Sequence, residues 1–333
     1  MAALLVVMAH YWIYLTTQPS LLGFSFTGVD LFFVLSGFVF APYFFGRPLQ
    51  LAPHYVRRIF RIYPLYLAAL GLYAALKVMN GQDLRFLGEH LFMLHTLQNT
   101  QIAFYYNPAF WSLPPEMEFY LVLPLLVKAA ASRRNLLLLG WGALALHLCI
   151  AWALPAQAES GAALVLSANL PGRGVEFALG VAAWRLARRD WSLAWRLGLV
   201  FAATLGWFVL GSIWLHLGDD GIAAQPLLRG NVSLLAACSF AVLVAACAGW
   251  VRSPPALLQA AAQWGGNLSY GIYLFHNALP VLVLKAWPHS QGGSLLLLSL
   301  SGTLLVAFVV HQIIEAPARA YGRALGRRMG RVG

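Results

Sequence analysis

Charge is scarce in this 333-residue chain: Asp, Glu, Lys and Arg together make up 10% of it, against 60% hydrophobic residues. That balance excludes an ordinary soluble domain, in which about a quarter of the residues are charged. Acidic residues are the scarcer sign, 11 against 22 Lys and Arg, for a net charge of +11. The basic residues are divided among many short connections rather than gathered on one stripe, which argues against nucleic acid as a partner. Three cysteines, Cys149, Cys238 and Cys247, sit in apolar runs without a CxxC pair. Their spacing implies neither a disulfide framework nor a metal site and predicts structurally buried thiols. Internal repeats, low-complexity tracts and connections long enough for a separate folded unit are all missing, so one domain over residues 1–333 is expected. A basic leader is missing too. MAALLVVMAHYWIYL enters its apolar run at once, so the first helix is expected to be short or truncated at its N-terminus.

What is present in quantity is apolar sequence in pieces of bilayer length. A hydrocarbon core of roughly 30 Å takes about 20 residues of helix. Runs of that kind recur at 1–17, 28–45, 62–79, 110–128, 135–154, 172–187, 195–215, 229–250, 265–288 and 293–315. The fold class that follows is all-α, a polytopic membrane helix bundle of about ten transmembrane helices. All but five of the 22 Lys and Arg residues fall on one set of helix ends, Arg252 and Arg331 among them; the exceptions are Lys77, Arg85, Arg173, Arg229 and Lys285. By the positive-inside rule both termini are expected to be cytoplasmic, with the lipid bilayer as the surrounding partner. The longest connection on the far side, 80–109, contains the apolar piece FLGEHLFMLHTLQ. At 86–98 it is too short to span and is expected to form an interfacial or re-entrant helix.

Polar residues inside such runs are costly unless paired or facing water, so each is a site hypothesis. His10 is either a proton acceptor or a satisfied core histidine. Asp30, opening the second run, either complements a helix dipole or orients His10. Glu116 and Glu118 lie about 200° apart on a helix, so only one carboxylate can line a given cavity. Glu116 fits a proton donor or acceptor, or equally an arginine partner. Arg173 and Glu176, three apart, share a face; Arg173 is either in an ion pair with Glu176 or reaching a substrate oxygen or Glu116. Arg58 and Arg61 share a face just below the third run, which suits phosphate groups or topology alone. Tyr270 and Tyr273, with His276 adjacent, place hydroxyls and imidazole in mid-span, where they need partners.

These pieces resemble, in order, the acyltransferase-3 family of bacterial membrane O-acyltransferases. The matching stretches are AALLVVMAH ending at His10, GVDLFFVLSGF from Gly28, RRIFRIYPLY from Arg57, WSLPPEMEFYLVLPLL from Trp111, RGVEFALG from Arg173, LSYGIYLFH ending at His276 and IEAPARAY from Ile314. The resemblance implies transfer of acetyl or another short acyl group from acyl-CoA to a hydroxyl of a carbohydrate or glycan acceptor, an O-acetylation at the bacterial inner membrane. His10 would be the catalytic histidine, assisted by Asp30. Glu116 would be the carboxylate of the WSLxxE element, and Arg58 and Arg61 an RxxR pair for acyl-CoA. Arg173 would be the family's span arginine, expected with Tyr270, Tyr273 and His276 on the substrate. Two departures stand out. An arginine that the family carries eleven residues before the histidine would precede Met1 here, and the acidic pair after WSL is split as Glu116 and Glu118. A multi-span transporter or flippase of a sugar-linked substrate is the alternative that buried His, Glu and Arg leave open.

Overall fold

The computed structural model describes residues 1–16, 18–154, 159–248 and 255–330. Arg252 and Arg331 of the expected basic set, and the last two residues of the expected 229–250 run, lie outside them. Regular structure among the described residues is helical. It comprises α1 (Ala2–Tyr11), α2 (Gly28–Phe44), α3 (Leu51–Met79), α4 (Leu87–Leu91), α5 (Thr100–Ala103), α6 (Leu113–Ala129), α7 (Arg133–Ala153), α8 (Gly161–Ala168), α9 (Leu170–Ala187), α10 (Leu193–Ala224), α11 (Val232–Cys247), α12 (Ala256–Phe275), α13 (Ala278–Ala286), α14 (Gly292–Val310) and α15 (Ala316–Met329). An isolated bridge, Asn99 with Ser160, ties two connections together.

Five helical stretches are long and apolar enough to cross a bilayer: Gly23–Phe44, Leu51–Met79, Arg133–Ala153, Leu193–Ala224 and Gly292–Met329. Ala2–Tyr14 and Val232–Cys247 are shorter apolar helices. About ten were expected, and the shortfall has local causes. The first run gives ten residues of α1 and then a tight 3-10 turn, Trp12–Tyr14. The 110–128 run starts with a 3-10 turn, leaving 17 residues to α6. The 265–288 run is cut in two where α12 stops at Phe275 and α13 starts at Ala278. Conversely α3 begins at Leu51, so the arginine-rich segment is continuous with its apolar part. The large apolar side chains left exposed, such as Trp141, Trp152, Phe201 and Leu125, lie on the faces a bilayer would cover. Cys149 and Cys247 are exposed there too and Cys238 is half-buried; an apolar run in a membrane buries residues in lipid as readily as in protein, which corrects the expectation of packed thiols.

The expected helix over 86–98 is one short turn, α4. Phe86 (φ +60°) and Met93 (φ +56°) are both left-handed, a conformation that ends a helix and that non-glycine residues adopt at a cost. His90 and His95 are thereby stacked ring on ring, 4.2 Å apart, and both are fully buried. Their Nε2–H groups donate to the carbonyls of Ile102 (2.9 Å) and Phe110 (3.1 Å), closing the 86–110 connection on itself.

In the interior α9 packs against α2, α7 and α11, α12 against α14 and α1, and α15 against α3. The α2–α9 contact is backbone on backbone. A Cβ at Gly37 would collide with Phe177 O, and one at Gly180 with Val34 O. Small residues at such crossings let membrane helices approach closely, and dispersion between main chains replaces the hydrophobic effect that lipid removes.

Candidate functional site

His10 stands in the last turn of α1. Its Nδ1 lies 2.9 Å from Val6 O, a pure acceptor, so Nδ1 carries the proton. That assignment leaves Nε2 with a lone pair, and no protein group hydrogen-bonds to it among the described residues. Facing the ring, edge on with centroids 4.9 Å apart, is His276. His276 is fully buried at the α12–α13 break. Its Nδ1–H donates to Tyr273 O at 2.8 Å, so its Nε2 presents a lone pair to His10 Nδ1 at 3.4 Å. Tyr11 donates to His276 O at 2.6 Å, fixing the backbone that carries the second ring. The result is a half-buried imidazole, oriented from two sides, with its basic nitrogen free.

Glu116 occupies the first turn of α6, where Pro114 and Pro115 fit because their missing N–H groups have no partner there anyway. A carboxylate also complements the helix dipole at that end. Its Oε1 accepts from Ser36 of α2 at 3.3 Å and from Tyr120 one turn on. Oε2 has no hydrogen-bond partner among the described residues. Glu118 points the other way and accepts from Leu170 N at 2.8 Å, as the 200° offset requires. Below Tyr120, the Arg58 guanidinium lies over the rings of Phe40 (5.1 Å) and Tyr120 (5.5 Å). Arg61, one turn further along α3, is exposed.

Asp30 does not orient His10. Its Oδ1 lies 3.5 Å from Arg173 Nη1, which also reaches Glu176 Oε1 at 3.1 Å. The glycine contact between α2 and α9 explains this, since it brings the two main chains close enough for a short Asp30 side chain to cross. Arg173 is accordingly committed to two carboxylates rather than to Glu116, and its guanidinium covers the Trp111 ring at 5.1 Å. It also borders a cavity of about 250 Å³ lined by His147, Phe26, Trp214 and Asp219 among others.

Tyr270 and Tyr273, expected on the substrate, donate instead to backbone carbonyls: Tyr270 to Ile62 O (3.1 Å) and Tyr273 to Ala109 O (2.6 Å). They tie α12 to α3 and to the entry of α6. His276, expected with them, is drawn into the His10 pair. The residues that sequence reasoning passed over are His311, Glu315 and Arg319. His311 Nδ1 is 2.9 Å from Glu315 Oε2, and Arg319 Nη1 is 3.3 Å from Glu315 Oε1. Their i, i+4 spacing within HQIIEAPAR was the available signal.

The bundle thus holds, on apolar helices, a half-buried imidazole with a free nitrogen and a carboxylate supported by Ser36 and Tyr120. The family model described as an acyltransferase domain, acyltransferase 3, matches residues 1–312, and the chain belongs to that family. It is a membrane acyltransferase. It is similar to nodulation protein 10 of Rhizobium leguminosarum bv. viciae, with 26% identity over 352 aligned positions that take in 95% of this chain and 90% of the relative. No solved structure matches the chain.

Proposed function

We propose that the protein, acting as one domain in the bacterial inner membrane with both termini cytoplasmic, moves an acetyl or other short acyl group from acyl-CoA to a hydroxyl of a carbohydrate or glycan acceptor. The observation that carries the proposal is the His10 tautomer: Nδ1–H bound to Val6 O leaves Nε2 as a base. In this reading Nε2 takes the proton of the acceptor hydroxyl, the oxygen attacks the thioester carbonyl, and the C–S bond breaks. The proton then passes from Nε2 to the leaving thiolate, which departs as coenzyme A. General-base help of this kind contributes about 10²- to 10⁴-fold. His276 positions the base. Glu116, with Oε2 free, receives the acceptor's hydroxyl groups. Arg58 and Arg61 take the phosphates of acyl-CoA on the basic side. Asp30 and Arg173 hold α2 and α9 in register behind the site.

The test is release of free coenzyme A by the purified protein given acetyl-CoA and a panel of glycan acceptors. Acceptor-dependent release that disappears in His10→Ala supports the reading. Full activity in that variant removes His10 from the mechanism, and no release by folded protein with any donor returns the choice to a transporter.

A further inference from the structure

The helix that continues α14 does not stay α-helical. His311–Glu315 forms a π turn, a wide turn that is rare and often marks a functional position. His311 and Glu315 are buried and Arg319 half-buried, joined in the row described above. Beyond it α15 lies against α3. A Cβ at Gly322 would meet Phe60, Gly326 sits beside Pro53 and Arg57, and the Tyr321 ring is 5.1 Å from that of Phe60. This packing brings Arg319 within electrostatic reach of Arg61 and Arg323. Guanidinium groups of α15 and α3, Arg319 and Arg323 from one and Arg61 from the other, therefore share one end of the bundle, where Arg57 also lies beside Gly326. Among the described residues no carboxylate lies within ion-pair distance of Arg58, Arg61 or Arg323. Glu315 balances Arg319 alone; guanidinium groups in excess of their counter-charges are unfavourable together unless an anion completes the set, and clustered guanidinium forks match phosphate oxygens.

We propose that Arg319, held by the Glu315 and His311 row, is a third guanidinium of the donor site, so that α15 and α3 together grip the phosphate groups of acyl-CoA. The inference rests on the reading of Arg58 and Arg61 given above. Glu315 is a positioning residue: it fixes Arg319 through one oxygen while His311 fixes the other. Phosphate of anionic lipid headgroups offers the same chemistry, and the experiment separates the two sources.

Binding of coenzyme A is measured by calorimetry on the full chain in nanodiscs of neutral lipid, for the wild type, Arg319→Ala, Arg319→Lys, Arg61→Ala and Arg134→Ala, the last a control on α7. Loss of a charge-assisted contact is expected to weaken binding by about ten- to a hundredfold in Arg319→Ala. Arg319→Lys should recover part of it and Arg134→Ala should match the wild type. The lysine variant also carries the test if the alanine variant fails to fold. In steady state Arg319→Ala should raise KM for acyl-CoA with kcat little changed. Unaltered binding in Arg319→Ala beside weakened binding in Arg61→Ala overturns the inference and leaves the donor reading standing. Unaltered binding with a lost preference for anionic-lipid nanodiscs overturns it in favour of headgroups. Absence of binding by folded wild type removes the donor reading, and the inference with it.

Discussion

The His10–His276 pair and the Asp30–Arg173–Glu176 triad are both polar clusters inside an apolar bundle, but they differ in what they leave over. The triad pairs its charges with one another, and although Arg173 borders a cavity, the atoms left over, Asp30 Oδ2, Glu176 Oε2 and Arg173 Nε, are sealed in protein. The histidine pair leaves Nε2 of a half-buried ring unpartnered and unsealed. Ionisable groups inside a membrane thus serve two purposes here, support and chemistry. What separates them is whether the spare lone pair faces packed atoms or open space.

The sharpest way to break this comparison is at its open end. His10→Ala should lower the rate of coenzyme A release by about 10²- to 10⁴-fold with the melting temperature preserved; a variant that melts early would make His10 a packing residue. At the closed end, Arg173→Ala strands two buried carboxylates and should destabilise the fold by about 3–5 kcal/mol. Thermal unfolding in detergent reads this, and a stable but inactive variant would move Arg173 to the chemical side of the ledger. Gly180→Leu drives a side chain into Val34 O and should cost about 1–3 kcal/mol, lowering the melting temperature by forcing α2 and α9 apart.

Acid sharpens the contrast through a third cluster. Burial pushes His90 down to about 3 and His95 to about 4 from an ordinary 6.5. Between pH 6.5 and about 4 the unfolded chain therefore binds protons that the folded 86–110 connection refuses. Stability there is complete above pH 6.5 and is lost as pH falls toward 4. Amide exchange over 86–110 should quicken across that window, while a flat profile would mean the stacked pair accepts a proton in place. The smallest effect is expected of His276→Phe, which keeps a ring but removes the lone pair facing His10 and should slow transfer by about fivefold, the worth of one neutral hydrogen bond.

Sequence periodicity was enough to foresee an all-helical membrane protein and the opposed faces of Glu116 and Glu118, and it put Arg173 and Glu176 on one face while leaving open whether they pair, because each depends on residues of one helix. Partners across helices were not legible. Asp30 meets Arg173 because Gly37 and Gly180 happen to coincide in space, and a glycine in an apolar run does not announce its counterpart. The Tyr270 hydroxyl ends on a carbonyl, which every residue possesses, and the Tyr273 hydroxyl on a carbonyl and on Ser112, a serine far away in sequence. The 86–98 segment reads as a helix because its breaks fall at Phe86 and Met93, residues with no turn signature. The same holds for the break beside His276, where a continuous apolar run conceals the end of α12.

The π turn at His311–Glu315 has a geometric consequence for everything after it. A π turn is an α-helix with one residue too many, and each residue of an α-helix advances the face by about 100°. The bulge absorbs that residue locally, so deleting one residue among Gln312, Ile313 and Ile314 would let ordinary pitch return with Arg319, Arg323 and the glycines of α15 in their present orientation. Winding the unchanged sequence as a continuous α-helix would instead turn them about a quarter of the way round their axis, away from α3. The π turn works as a rotary correction, and it holds the angle at which the last helix meets the rest of the molecule.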